Sequence, residues 1–163
     1  MHYLMLILVL IVLFTVFSIQ QYNIASSMNP QASNQHFPLQ KTINPENPKI
    51  QKYFQKVVSV PYKANYTSDV PKTPAQFWKD NSGDCDDKSV AFADYLYKIG
   101  AEDVKLVTIV HNSMKYAHCV VMWKNCIFDT AAEPPIYNMD KTKYYNLVQK
   151  KGFNLWFDYV YVP

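Results

Sequence analysis

The stretch GDCDDKSVAFADYLYKIG, Gly83 to Gly100, decides the fold. Asp84 suits a helix N-cap, and Asp87 three residues later suits its reciprocal partner. Cys85 then takes the first helical position. Phe92, Leu96 and Ile99 recur at helical spacing and form an inward stripe. Gly100 tolerates the left-handed conformation that ends many helices. The spacing therefore predicts a helix from Asp84 to Ile99 with a cysteine at its N-terminus.

Downstream of this helix the period changes from helical to strand-like. Val104–His111 is β-branched and mostly apolar, and Asn112-Ser113 reads as a turn. Tyr116–Trp123 and Cys126–Thr130 read as strands joined tightly at Lys124-Asn125. Met139–Lys150 is read as a further helix and Phe153–Val162 as an aromatic-rich last strand. Upstream, Asn47-Pro48 opens a helix to about Val58, with Ile50, Tyr53, Phe54, Val57 and Val58 on one face. Residues 59–72 read as a loop. Thr73-Pro74-Ala75-Gln76 starts a short helix that ends before Gly83. Helices followed by an antiparallel sheet make an α+β fold.

The chain has 163 residues, three cysteines, three glycines and a net charge of +3. Three cysteines cannot build a disulfide scaffold and form no paired zinc knuckles. All 16 basic residues are lysine, and the lack of arginine argues against specific nucleic-acid readout. No GxGxxG or Walker pattern is present, which excludes the common nucleotide-binding classes. The charge is unevenly placed, since residues 1–40 carry none. Tyr3–Ile19 is an almost unbroken apolar run, long enough for a helix that crosses a thin hydrocarbon core. It lacks the basic flank and small-residue cleavage site of a secretory signal, which favours an uncleaved anchor. The expected organisation is an anchor at 1–20, a Gln/Asn/Ser/Pro tether at 21–47 and a domain at 48–163. The domain would then lie outside the cytoplasm on the membrane, or be secreted if the N-terminal segment is cleaved.

Cys85 carries the chemical argument. The free amides and dipole of a helix N-terminus stabilise a thiolate. Asp84 and Asp86 oppose it, so a cationic partner is required. His118 and Asp129 are the candidates. If Lys124-Asn125 are the two turn residues, Trp123 faces Cys126 and Val120 faces Asp129. Side chains alternate along a strand, so His118 shares the face of Val120 and lies diagonal to Asp129. Such neighbours are roughly 7–8 Å apart at the backbone, within reach of an Asp–His hydrogen bond. The same register sends Cys119 and Cys126 to the opposite face as small core residues. Cys85 would attack a carbonyl, His118 would hold the thiolate and protonate the leaving amine, and Asp129 would orient the imidazole. The Cys85 amide would help hold the oxyanion, with a second donor from Asn81, Gln76 or Trp78.

These residues carry a resemblance. Gly83-Asp84-Cys85-Asp86-Asp87, Ala117-His118-Cys119-Val120-Val121 and Phe128-Asp129-Thr130 resemble the transglutaminase-like cysteine peptidase superfamily. With Thr73-Pro74-Ala75-Gln76-Phe77 upstream, the pattern is most similar to the bacterial transglutaminase-like cysteine proteinases. The resemblance covers roughly residues 50–132. It implies a papain-like α+β fold, a Cys-His-Asp triad in that chain order, and hydrolysis or transfer at amide bonds. Some members of that family bind calcium through acids flanking the cysteine. Asp84 and Asp86 match two such positions, with Asp86 replacing the usual Glu.

The expectation is a membrane-tethered extracytoplasmic thiol hydrolase, a peptidase or amidase acting on peptide or isopeptide bonds of cell-envelope substrates. It requires no cofactor and meets no nucleic acid; hydrolysis is favoured over transglutamination. The alternative from another class is a catalytically silent papain-like module that binds peptides. A zinc site from Cys85, His118 and either Asp129 or His111 is a lesser option, because only one cysteine faces that side.

Overall fold

Capping residues set the helix starts. In the computed structural model, which describes residues 43–64 and 70–163, Asn47 Oδ1 accepts from the Lys49 amide at 2.9 Å and opens α1, Pro48–Val58. Thr73 Oγ1 accepts from the Gln76 amide at 3.3 Å and opens α2, Pro74–Asp80. Helix α3 spans Cys85–Lys98, with Cys85 at its first position. It closes where Gly100 adopts φ +88°, and the Ala101 amide reaches back to the Leu96 carbonyl at 2.9 Å. The anchor expected at 1–20 and all but the end of the tether lie outside the described residues. Residues 43–47 meet the domain: Lys124 Nζ donates to the Ile43 carbonyl and the Tyr137 hydroxyl to that of Pro45.

Five strands follow: β1 Lys105–His111, β2 Ala117–Trp123, β3 Cys126–Asp129, β4 Ile136–Asp140 and β5 Phe153–Val160. They form one antiparallel sheet in the order β4-β3-β2-β1-β5. Lys124 and Asn125 both take positive φ, 50° and 62°, as a tight right-twisting hairpin demands. Trp123 pairs with Cys126 and Val121 with Phe128.

One expectation is corrected. Met139–Lys150 is not a single helix. Its start belongs to β4, and the helix, α4, is Lys141–Gln149. The boundary is a cap. Asp140 Oδ1 accepts from the Thr142 and Lys143 amides at 3.0 and 3.1 Å. These bonds satisfy helix amides that would otherwise lack partners.

The helices cover both faces of the sheet. Ile50, Phe54, Phe77, Phe92 and Leu96 of the first three helices pack on Cys119, Val121, Trp123 and Phe128. Phe54 and Phe92 meet edge to face with centroids 5.5 Å apart, a contact worth about 0.5–1.5 kcal/mol beyond its burial. On the other face, Val107, Ile109, Val120, Met122 and Ile127 lie under Tyr144 and Val148 of α4. Cys119 is buried in the first cluster and Cys126 packs against it, so both act as small core residues.

Candidate active site

The turn before Cys85 is held from several sides. Gly83 bridges to Tyr62, and its carbonyl accepts from the Lys63 amide at 2.9 Å. A Cβ at residue 83 would sit 2.7 Å from Asp87 Cβ and 2.9 Å from the Phe77 ring, so only glycine fits without displacement. Asp87 Oδ1 accepts from the Lys72 amide at 2.6 Å, and its Oδ2 from the Asp84 amide at 3.4 Å. Lys72 Nζ donates to the Ser82 carbonyl at 2.8 Å and stands 3.4 Å from Asp80 and 3.8 Å from Asp87. One ammonium thus ties the end of α2 to the start of α3. Further along, Ser89 Oγ donates to the Cys119 carbonyl at 2.9 Å and pins α3 to the strand residue beside His118.

His118 and Asp129 come together. His118 Nε2 lies 2.9 Å from Asp129 Oδ2. Asp129 is 2% exposed, yet its carboxylate is fully engaged. Oδ1 accepts from the Ala131 and Ala132 amides at 3.1 and 2.9 Å, and Oδ2 also accepts from the Tyr144 hydroxyl at 2.7 Å. Burial opposes its charge, but the bonds from His118, Tyr144 and Ala131 outweigh burial and hold the carboxyl below its usual range. Burial likewise works against charge on His118. Hydrogen bonds with Asp129 and Cys85 overcome it and push the imidazole up to about 10. At neutral pH the ring is therefore a cation, set against the Asp129 carboxylate on one side and the Cys85 side chain on the other. Asp129 takes Nε2, which leaves Nδ1 for Cys85.

The second-donor candidates sit variously. Asn81 caps α2 in the left-handed conformation, φ 48°, and is exposed. Gln76 is exposed in the first turn of α2. Trp78 packs among Tyr53, Phe77 and Lys56 Nζ, and its indole hydrogen-bonds the Tyr53 hydroxyl. That commits its N–H away from the cysteine. His111 accepts through Nδ1 from the Ser113 amide at 3.1 Å and packs on Phe153.

Among the described residues, one group of three or more acidic, His or Cys side chains could share a cation: Asp84, Asp86 and Asp87, with ligand atoms within 4.8 Å. Carboxylate oxygens are the hard donors that calcium takes. Burial, and then the hydrogen bond and charge of Asp84, push Asp86 up to about 7, against the pull of the Asp87 amide. A divalent cation there would replace the proton that Asp86 retains. Asp87 is already shared with Lys72. Asp84 and Asp86 fit a calcium ion as its principal protein carboxylates.

Residue patterns did not reveal Tyr144 or Lys72 as parts of this region. Tyr144 sits among aromatic residues that read as core, and Lys72 falls in a loop.

No protein-family model matches the chain, and no curated protein does. Among solved structures, calcium-bound LapG of Legionella pneumophila aligns with TM-score 0.50 at 15% identity, over 66% of this chain and 61% of that one. EGTA-treated LapG aligns with TM-score 0.48 at 16% identity, over 60% and 59%. The chain thus spans about three-fifths of the LapG chain it matches. The likeness shows the fold, an α+β arrangement of four helices on a five-stranded antiparallel sheet.

Proposed function

We propose that the chain is a thiol hydrolase of the transglutaminase-like kind, with Cys85, His118 and Asp129 as its catalytic residues. The observation that carries this is the charged His118 held between Asp129 and the cysteine at the head of α3. The Cys85 thiolate attacks the carbonyl carbon of an amide or isopeptide bond, and the carbonyl electrons move to oxygen. The Cys85 amide donates to that oxyanion, with Asn81 or Gln76 as the second donor. Collapse breaks the C–N bond, and the His118 imidazolium gives its proton to the leaving amine. His118, now neutral, takes a proton from water. The resulting hydroxide attacks the thioester, releasing the acid and restoring the thiolate–imidazolium pair. Asp129 stays ionised and keeps Nε2–H engaged, which aims Nδ1 at the sulfur.

The reading includes a membrane anchor at residues 1–20, joined by the tether at 21–47, that would hold the domain outside the cytoplasm, next to cell-envelope peptides. Calcium, when bound, would be held by Asp84 and Asp86 and would supply positive charge that steadies the turn ahead of Cys85.

Iodoacetamide labelling tests the nucleophile. Cys85 should label selectively and faster at neutral pH than a free thiol, because the paired thiolate is the reactive form. Equal, slow labelling of Cys85, Cys119 and Cys126 would sink the reading and leave the peptide-binding module in its place.

A further inference from the structure

A cleft of about 490 Å³ opens between the segment following α1 and the loop following Asp129. Val60, Pro61 and Tyr62 form one side; Thr130 and Glu133 stand on the other, with Lys88 between them. Lys88 is only 3% exposed. Its ammonium donates to the Val58 carbonyl at 3.1 Å, and among the described residues no carboxylate pairs with it. An ammonium has three hydrogens to donate, so it retains unused capacity. Burial pulls Lys88 below its ordinary range. Thr130 is 2% exposed, and its Oγ1 has no hydrogen-bond partner. Glu133 is exposed and makes no ion pair with Lys88.

Buried charges are normally paired and buried hydroxyls normally bonded. Here a cation and a hydroxyl line the same cleft, both short of acceptors. The missing group is therefore an anion with acceptor oxygens that arrives from outside. Two donors match the two oxygens of a carboxylate, and Val60 and Pro61 offer apolar surface to a methylene stem. The cleft also adjoins the chemistry. Lys88 lies one helical turn beyond Cys85, and Thr130 directly follows Asp129.

We propose that this cleft is a substrate subsite for a carboxylate, bound by the Lys88 ammonium and the Thr130 hydroxyl. It rests on the hydrolase reading in taking the ligand to be a peptide presented to Cys85, and it narrows that substrate to one bearing an acid beside the scissile bond. The acid is either a side chain or the free end of the peptide.

The test is a titration of the ¹⁵N-labelled full chain in detergent solution with three capped dipeptides, following the amides of Lys88 and Thr130 to Ala132. One is N-acetyl-alanyl-glutamate with an amidated end. The second is its glutamine counterpart, also amidated. The third carries glutamine and a free terminal carboxylate. One of the two acids should bind about tenfold or more tightly than the neutral peptide, as a charge-assisted bond requires. Whichever acid does so identifies the source. The preference should vanish in Lys88→Met and weaken in Thr130→Val. Equal affinity for all three, no saturable shift with either acid, or a preference that survives Lys88→Met overturns the proposal. Should Lys88→Met fail to fold, an unchanged preference in Thr130→Val overturns it equally. The titration reads binding without turnover, so its failure leaves the Cys85 labelling result standing. A silent Cys85 likewise leaves the titration readable.

Discussion

Two charged regions flank Cys85, and they are built on opposite principles. On the sheet side, a buried Asp129 meets a half-buried His118, and each stabilises the charge of the other. On the turn side, Asp84 and Asp86 crowd like charges against one another, and Asp87 is shared with Lys72. Opposite charges push the first pair's titrations away from neutrality, whereas burial, and then the hydrogen bond and like charge of Asp84, bring Asp86 into it. The difference teaches where pH sensitivity should appear. His118 is raised, so its contribution to stability is complete below about pH 6.5 and is lost as the pH climbs through about 10. Asp129 is lowered, so its contribution is complete above about pH 4 and is lost as the pH falls through its folded value. Between about pH 4 and 6.5 the pair's contribution is constant. Above that the His118 contribution falls steadily toward pH 10, while the acid turn adds its own change up to about pH 7.

The largest expected effect breaks the paired region. His118→Ala should lower turnover by about 10²–10⁴-fold and slow iodoacetamide labelling of Cys85. Asp129→Ala should mainly reduce turnover by losing the oriented imidazole. Labelling at the wild-type rate in His118→Ala would remove the ion pair, and wild-type kinetics in Asp129→Ala would remove the orienter. A middling effect sharpens the contrast. Asp86 holds its proton to about pH 7 in the fold but only to about pH 4 when unfolded, so it penalises the fold increasingly as the pH rises between those values. With EGTA present, Asp86→Asn should raise the thermal midpoint by a few degrees at pH 8 and hardly at all near pH 4. An equal rise at both values would refute the raised titration of Asp86. Calcium should stabilise the wild-type chain at pH 8 and do so less in Asp86→Asn; no shift in either, seen in a thermal scan, removes the cation. The smallest effect is a control distant from both regions. Lys98→Ala removes the exposed ammonium that stands 2.7 Å from the buried Asp94 carboxylate, and should cost about 1 kcal/mol or less in denaturant unfolding.

The order of elements was legible wherever caps and periodicity agreed. Asn47, Thr73 and Asp84 stand at the helix starts where their residue types predict them. The hairpin register followed from two turn residues, because an alternating strand has only two faces. Strand β4 was not legible. It is five residues long, Asn138 sits at φ 56° within it, and its pairing with β3 shifts register, so no alternation survives. Part of the site was hidden for a different reason. Spacing could place His118 and Asp129 on one face, but Tyr144 comes from a helix on a separate element and meets Asp129 through space. Lys88 was equally hidden, since a lysine in a helix pattern reads as solvated until its burial is known.

The Tyr144 hydroxyl gives the last third of the chain a stake in the first two. The motifs that carry the family resemblance end near residue 132, and a fragment trimmed to them would look self-sufficient on paper. It would lose the phenol that meets Asp129 and the helix that roofs Val120 and Ile127. The smallest unit that can keep its imidazole aimed therefore extends at least through α4, and engineering by truncation should begin from the far side of that helix.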